Sequence, residues 1–358
     1  MNESDLHEIE PAARGLTLSG DPLPVFDRPI REPMGWSPLR RPRSVRRTMS
    51  LDATWPGGRD GETAIAGDCR DILTGPDGGQ PVEIGRAHID VVAGNRVIES
   101  IRTVPPRNDI AGLVGARAGG YLRAAIENVL PVEKTNGTPL YLLLDDLAGT
   151  TLVARWAWSR WDGGWIGMSD EQRAQNVRSM EGVCIGFRPG SGALGDNGRA
   201  QPDQNSSRVP SLVNLADPEG WHELIDRGGV NFRRARRIDV WREGGLIHVD
   251  SAFQDTSSAP DGGDRMAVHE YRLFATADEA AGTLLSLDAR PGTLPYPECR
   301  AAPSNIGHLL GCPLDRLREQ VLITLRKTAG CTHLNDTLRA LAEVPALIHS
   351  LPQSEGAA

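Results

Sequence analysis

The tetrapeptide Pro-Asp-Gly-Gly occurs twice in this chain, at Pro76–Gly79 and at Pro260–Gly263. Proline followed by two glycines favours a tight turn. Each copy follows a segment in which polar and apolar residues alternate, as in a half-buried strand. These segments end in Cys69–Asp71 and in Phe253–Asp255. Each copy therefore predicts a β-hairpin, and the shared order of the surrounding segments predicts an internal duplication.

The spacing of apolar residues predicts strands followed by helices in each half. The predicted strands of the first half are Thr48–Thr54, Glu62–Leu73, Val82–Val92 and Arg96–Thr103, with helical spacing from Ile110 to Val129 and from Leu140 to Leu147. Those of the second half begin near Arg236 and continue as Leu246–Thr256, Met266–Ala275 and Gly282–Ala289, with helical spacing from Ile306 to Leu325 and from Thr337 to Ile348. The predicted fold is α+β, a tandem duplication of a curved antiparallel sheet followed by helices, with the order β-β-β-β-α-α-α occurring twice.

This duplication divides the chain into four segments. We expect an extended N-terminal arm (1–43), a first, degenerate repeat (44–155), a Trp-rich connector that includes a lid (156–232), and a second repeat that carries the site (233–350). The connector contains four tryptophans: Trp156, Trp158, Trp161 and Trp165. They either stack on an aromatic ligand or lie on a strand whose indoles cover the sheet or the boundary between repeats. The Gly/Ser/Asn/Gln-rich loop 189–207 is long enough for a lid or a connection.

Composition excludes several classes of protein. A net charge of -8 over 358 residues argues against a nucleic-acid binder. The basic clusters Arg40–Arg47 and Arg233–Arg237 are interpreted as a solvated face or a phosphate-facing loop. No apolar run has the length of a membrane helix, and Met1–Glu10 lacks a signal core. Five cysteines without a CxxC pair favour reduced thiols and a cytoplasmic protein. The sequence carries no signal for the oligomeric state.

The candidate site begins with Gly330–Asp336, which joins a thiol, an imidazole and a carboxylate where a helix starts. The positive end of the helix dipole is expected to lower the pKa of Cys331 and to favour its thiolate. Cys299 precedes another predicted helix, and His269 lies on a predicted strand. Only the second half carries these two thiols and imidazoles, so we expect it to be the working repeat and the first to be its structural partner.

Three interpretations of these residues remain open. The first is a zinc or iron site formed by Cys299, Cys331, His269 and His333, or by three of them with water. The second is metal-free catalysis, with Cys331 as nucleophile, His269 or His333 as base and Asp255 or Asp336 as orienting carboxylate, or with His269 and Glu270 as acid and base. The third is structural, with buried thiols and a capping His333. Cys69, Cys184 and Cys312 are interpreted as core residues, His222 as incidental and His248 as a core histidine.

The run from Arg234 to Leu341 resembles a bacterial family of unknown function. Its members carry a strand with a histidine, a Pro-Tyr-x-x-Cys segment and Gly-Cys-Thr-His-Leu, which correspond here to His269, Pro295-Tyr296 with Cys299, and Gly330–Leu334. The resemblance implies an association with operons for the catabolism of aromatic or hydrophobic compounds. A looser similarity to iron–sulfur scaffold and sulfur-acceptor proteins rests on cysteines at two helix starts. This chain lacks the strand-loop cysteine of those proteins.

Together these observations predict a cytoplasmic enzyme that acts on a small molecule, as a lyase or hydrolase in the catabolism of aromatic or hydrophobic compounds. The tryptophans would shape an apolar pocket between the repeats. The alternatives are a non-enzymatic metal or sulfur carrier and a structural or interaction protein. A shielded pocket beside the thiols favours the enzyme, whereas an open thiol edge favours the carrier.

Overall fold

The computed structural model of the chain describes residues 33–162, 169, 171, 175, 178–194 and 206–351. Most of the predicted N-terminal arm, Trp165 and most of the predicted lid loop lie outside these residues. Within them, the secondary structure is a large antiparallel sheet with helices.

Nine strands form one sheet in the described part of the chain. They are β1 Ser44–Thr54, β2 Thr63–Thr74, β3 Val82–Gly94, β4 Val97–Val104, β5 Ser207–Arg208, β6 Asn231–Glu243, β7 Leu246–Ser258, β8 Arg265–Asp278 and β9 Leu284–Pro291. The order across the sheet is β4-β3-β2-β1-β6-β7-β8, and both β5 and β9 pair with β8. Both Pro-Asp-Gly-Gly segments connect antiparallel neighbours, as predicted, and Gly78 and Gly262 adopt the positive φ that such turns require.

The two halves meet inside the sheet, because β1 pairs antiparallel with β6 along its full length. Two ion pairs cross this seam in mirrored positions. Arg46 Nε donates to Asp239 Oδ1 at 2.5 Å, and Arg233 Nε donates to Asp52 Oδ1 at 2.6 Å. All four side chains are buried. The interpretation of the arginine clusters as a solvated face or phosphate-facing loop is therefore wrong for β1 and β6, since cross-strand carboxylates compensate these arginines within the sheet.

Seven α-helices have both ends within the described residues, and residues 171, 175 and 178–180 are also helical. The seven are α1 Leu122–Val129, α2 Pro131–Asn136, α3 Pro139–Val153, α4 Trp156–Asp162, α5 Leu317–Thr324, α6 Thr332–Arg339 and α7 Val344–His349. The side chain of Thr138 caps α3 by accepting a hydrogen bond from the Tyr141 amide at 3.2 Å, and α3 packs across β1, β2 and β3. In the second half, α6 packs against β7 and β8. The predicted strand for the tryptophans is wrong, because Trp156–Asp162 is helical.

The segment after β9 is a long 3-10 helix, Pro297–Leu309, in place of an α-helix. Pro303 lies inside it and cannot donate a backbone hydrogen bond. The helices cover one face of the sheet, to which Phe253, Asp255 and His269 point. Trp221 and His222 are buried against the opposite face, where His222 bridges the hydroxyls of Thr48 and Ser50 at 2.9 Å each.

In the described residues, no helix is both long enough and apolar enough to cross a bilayer.

Candidate functional site

An aspartate and a histidine face each other on adjacent strands beneath the helices. Asp255 of β7 and His269 of β8 are direct cross-strand partners. Nδ1 of His269 lies 3.1 Å from Oδ2 of Asp255, and both residues are buried. Because the carboxylate accepts hydrogen bonds, the neutral imidazole carries its proton on Nδ1 and leaves Nε2 as the acceptor. We call Asp255 and His269 the dyad.

Arg234 of β6 fixes the carboxylate of the dyad. Its Nε and Nη2 donate to the two oxygens of Asp255, each at 2.9 Å. Burial alone would raise the pKa of Asp255, but the Arg234 charge and the His269 hydrogen bond outweigh it and hold that pKa well below its usual range. Burial lowers the pKa of His269 in spite of Asp255. At neutral pH the dyad is therefore a carboxylate beside a neutral imidazole.

His333, from the first turn of α6, stacks on the dyad. Its ring centroid lies 3.4 Å from that of His269, with an angle of 19° between the rings. Its Nε2 is buried without a hydrogen bond and lies 3.7 Å from Oδ2 of Asp255. Burial, and then repulsion by a charged His269, lower the pKa of His333 well below its ordinary value. The stacked pair therefore holds at most one positive charge near neutral pH.

A pocket of about 790 Å³ opens above the two histidines. His269 and His333 lie on its wall with Cys299 and Cys331. The apolar and aromatic part of the wall is formed by Val153, Trp156, Trp158, Phe187, Val268 and Tyr296. Tyr296 and Phe187 pack edge to face, with ring centroids 5.3 Å apart, and Trp158 packs in the same way on Trp55 at 5.7 Å. The pocket is large enough for an aromatic small molecule.

The two predicted thiols are buried in this wall. Cys331 is the N-cap residue of α6, and Cys299 lies in the first turn of the long 3-10 helix. Burial raises the pKa of Cys331, although the amides of Leu334 and His333 and the Tyr271 hydroxyl oppose it. Burial outweighs these donors, so the pKa of Cys331 is raised, in contrast to the expectation that the helix start lowers it and favours a thiolate.

Asp336 lies away from both imidazoles. Its carboxylate accepts a hydrogen bond from Arg123 at 3.0 Å and lies 3.5 Å from Nη1 of Arg234. Of the two predicted orienting carboxylates, the structure places Asp255 beside His269. Glu270 points to the opposite face of the sheet, where Gln254 and the Thr293 amide donate to it. Glu270 and His269 therefore do not face a common ligand.

Sequence reasoning did not identify Arg234 or Cys184 as site residues. Arg234 stood in a run of arginines, and only the alternation of a strand distinguishes its inward-facing position. Cys184, which the sequence predicts to be a core residue, lies on the wall of the same pocket. No short motif marks it, because its neighbours in the pocket are distant in sequence.

In the described part of the chain, one group of three residues brings its potential metal ligands within 4.8 Å of one another: Asp255, His269 and His333. Two imidazoles and a carboxylate are a ligand set for iron or zinc. The arrangement fits an ion poorly for two reasons. Arg234 occupies both oxygens of the Asp255 carboxylate. The imidazoles of His269 and His333 are stacked, so the lone pairs of their nitrogens lie in nearly parallel planes and do not converge on one point. Cys299 and Cys331 are not members of this group.

The fold and site define a class: a protein with an antiparallel sheet and helices that places an Asp–His dyad at the base of an apolar pocket. A family model described as "Protein of unknown function (DUF2889)" matches residues 232–347. This match spans β6 to α7 and contains Asp255, His269 and His333. Neither a curated protein nor a solved structure matches the chain.

Proposed function

We propose that this chain is a cytoplasmic small-molecule enzyme, a lyase or hydrolase that uses His269 as a general acid–base catalyst in the catabolism of aromatic or hydrophobic compounds. The observation that carries the proposal is the dyad of Asp255 and His269, whose Nδ1 lies 3.1 Å from the carboxylate and which opens onto a pocket of about 790 Å³. A positioned imidazole beside an ionised carboxylate is the arrangement that general base catalysis requires.

Each member of the site has a distinct task in this proposal. Asp255 holds the His269 proton on Nδ1, so that Nε2 can accept a proton from a substrate carbon or from a water molecule. The same carboxylate stabilises the imidazolium that forms, and Arg234 keeps the carboxylate ionised. Because His333 is neutral, it does not repel the positive charge that forms on His269.

The burial of the thiols supports the enzyme over a sulfur carrier. Cys299 is 4% exposed and Cys331 is 2% exposed. A carrier has to present its sulfur to a partner protein, whereas these cysteines are buried on the wall of the pocket. The aromatic walls instead suit a small apolar ligand.

The test is conversion of compounds that bind. The protein would be incubated with a panel of aromatic and acyl esters, thioesters and hydroxy acids, and the products followed by mass spectrometry. We expect His269→Gln to lower the conversion rate by at least about 100-fold while binding persists. His248→Gln is the matched control, since His248 stacks on Trp241 outside the pocket. Equal rates in His269→Gln and the wild type would contradict the proposal.

A metal-assisted form of the reaction is a second, less favoured candidate: Asp255, His269 and His333 lie together, but Arg234 already occupies both oxygens of Asp255. Zinc or iron would polarise a carbonyl or activate water. Metal analysis of protein purified without a tag tests it. About one equivalent of zinc or iron, lost in His333→Ala, supports this form. Metal-free protein whose conversion rate survives a chelator leaves the metal-free form standing.

We also propose that the two halves arose by tandem duplication and that the first half lost the site. The supporting observation is a repeated pair. Arg47 of β1 and Asp71 of β2 are cross-strand partners, as are Arg234 of β6 and Asp255 of β7. The residue opposite Asp71 on the next strand is Gly85, where the second half has His269. An alignment of relatives in which single-half chains match both halves would test this origin.

A further inference from the structure

Three of the five cysteines lie on the wall of the pocket, and the dyad uses none of them. Cys184 precedes the 3-10 turn Ile185–Phe187, Cys299 lies in the first turn of the long 3-10 helix, and Cys331 is the N-cap residue of α6. They come from three separate segments of the chain. The proposed acid–base chemistry therefore does not account for the three thiols on this wall.

Close contacts hold the three segments together. The Ile185 amide donates to the Gly330 carbonyl at 2.9 Å, which places the loops of Cys184 and Cys331 side by side. A β-carbon added at Gly186 would lie 2.7 Å from the sulfur of Cys299 and 3.8 Å from that of Cys184. The glycine therefore allows both sulfurs to approach the same point of the backbone.

Neighbouring donors favour the thiolate forms of two of these cysteines. The amides of Gly186, Phe187 and Thr332 favour the thiolate of Cys184. The amides of Leu334 and His333, with the Tyr271 hydroxyl, favour that of Cys331. Donors of this kind commonly surround metal-bound sulfur and tune it.

The donors alone do not ionise the thiols. Burial raises the pKa of Cys184 to about 12 and raises the pKa values of Cys299 and Cys331 as well. A bound metal ion deprotonates a coordinating thiol outright. A thiophilic metal would therefore supply the stabilisation that these buried sulfurs lack.

We propose that Cys184, Cys299 and Cys331 hold a thiophilic metal centre whose remaining coordination position faces the pocket. Thiolate ligands select soft metals, as single ions or as iron–sulfide clusters. In the described residues the three sulfurs do not form a group within 4.8 Å. A single ion therefore draws them together by rotation about Cα–Cβ, whereas a cluster accepts the wider spacing.

Titration of the reduced full-length protein with cadmium is the first test. We expect saturable binding of about one equivalent, seen as thiolate-to-cadmium absorption in the ultraviolet, and an affinity at least about tenfold weaker in each of Cys184→Ser, Cys299→Ser and Cys331→Ser. Cys312→Ser is the control, because Cys312 is a partly exposed thiol outside the pocket. Equal weakening in Cys312→Ser, or no saturable binding, would overturn the proposal.

A second measurement needs no variant. X-ray absorption at the cadmium edge of the wild-type complex counts sulfur ligands, and we expect three. A shell of oxygen and nitrogen alone would place the ion at Asp255, His269 and His333 instead and would overturn the thiolate centre.

Anaerobic addition of ferric iron, sulfide and a thiol reductant identifies the occupant. Visible charge-transfer absorption that Cys299→Ser abolishes assigns a cluster, whereas its absence beside saturable cadmium binding assigns a single ion. If the thiols bind neither, the thiolate centre fails and the acid–base function of His269 stands unchanged.

Discussion

The same Arg–Asp pair stands in both halves of the sheet with different surroundings. In the first half, Arg47 donates to both oxygens of Asp71, and its Nη1 donates to the Gly137 carbonyl and to Glu343. In the second half, Arg234 donates in the same way to Asp255, but its Nη1 is buried without a hydrogen bond. The first pair is fully satisfied, while the second supports the dyad. The comparison teaches that the residue opposite the aspartate on the next strand, Gly85 in the first half and His269 in the second, decides whether the Arg–Asp pair contacts an imidazole.

The largest expected effect comes from removing either arginine. Arg47→Met and Arg234→Met each leave buried carboxylates without their partner, and we expect each to lower the free energy of unfolding by about 3–5 kcal/mol. Urea denaturation followed by circular dichroism measures it. Arg290→Met is the control, because Arg290 pairs with Asp288 at the surface, and we expect less than about 1 kcal/mol there. An unchanged free energy of unfolding in Arg47→Met would contradict this comparison, because the Arg47–Asp71 pair would then not stabilise the fold.

A smaller effect is expected at Gly149, inside α3. A β-carbon there would overlap Nη1 of Arg234 and lie 3.0 Å from Oδ2 of Asp336. Alanine favours a helix by about 1 kcal/mol over glycine, but this contact has to displace a buried guanidinium, so we expect Gly149→Ala to destabilise the protein by about 1–3 kcal/mol. Thermal unfolding measures this change.

The control for that prediction is the double variant Gly149→Ala with Arg234→Met. Once Arg234 is absent, the alanine should no longer destabilise the protein further. Additive losses in the double variant would show that Gly149 acts independently of Arg234.

The pH dependence of stability tests the burial of His222. Burial lowers the pKa of His222 to about 3. Its unfolded pKa is about 6.5, so the stability from this neutral imidazole is complete above that pH and is lost as the pH falls toward 3, by at most about 1.4 kcal/mol per unit. His269 and His333 act in the same direction. Denaturation at a series of pH values should give a shallower slope in His222→Gln, and an unchanged slope would contradict the burial of His222.

The smallest effect is expected at Gly85, which lies opposite Asp71 as His269 lies opposite Asp255. A β-carbon at Gly85 would lie 3.3 Å from Oδ2 of Asp71 and 3.4 Å from Cγ of Pro139, which is tight but tolerable. We expect Gly85→Ala to change the free energy of unfolding by less than about 1 kcal/mol in either direction. A loss above about 2 kcal/mol would show that the space beside Asp71 is already filled.

Local signals in the sequence were sufficient to predict the hairpins. Alternating residues and the Pro-Asp-Gly-Gly turns predicted an antiparallel sheet followed by helices, and the structure confirms that coarse description. The seam between β1 and β6 could not be predicted, because it joins distant segments without a turn. The tryptophan helix was missed for a related reason, since the spacing of indoles alone does not separate a covering strand from a short helix.

The site was predictable only in part. His269, His333, Cys299 and Cys331 were selected from the residue types at helix starts and on a strand, and the structure places all four on one pocket wall. The protonation of the thiols was not predictable, because it depends on burial. The role of Arg234 was not predicted, because a charged residue in a strand is expected to face solvent unless its cross-strand carboxylate is known.

The seam has a consequence for shorter chains. A chain that contained only residues 232–347 would present β6 as an open sheet edge, with Arg233 and Asp239 separated from their seam partners Asp52 and Arg46. Such an edge invites another strand. Since β1 meets β6 in antiparallel fashion here, two single-half chains could join through their own β6 strands about a twofold axis, and we expect them to exist as homodimers.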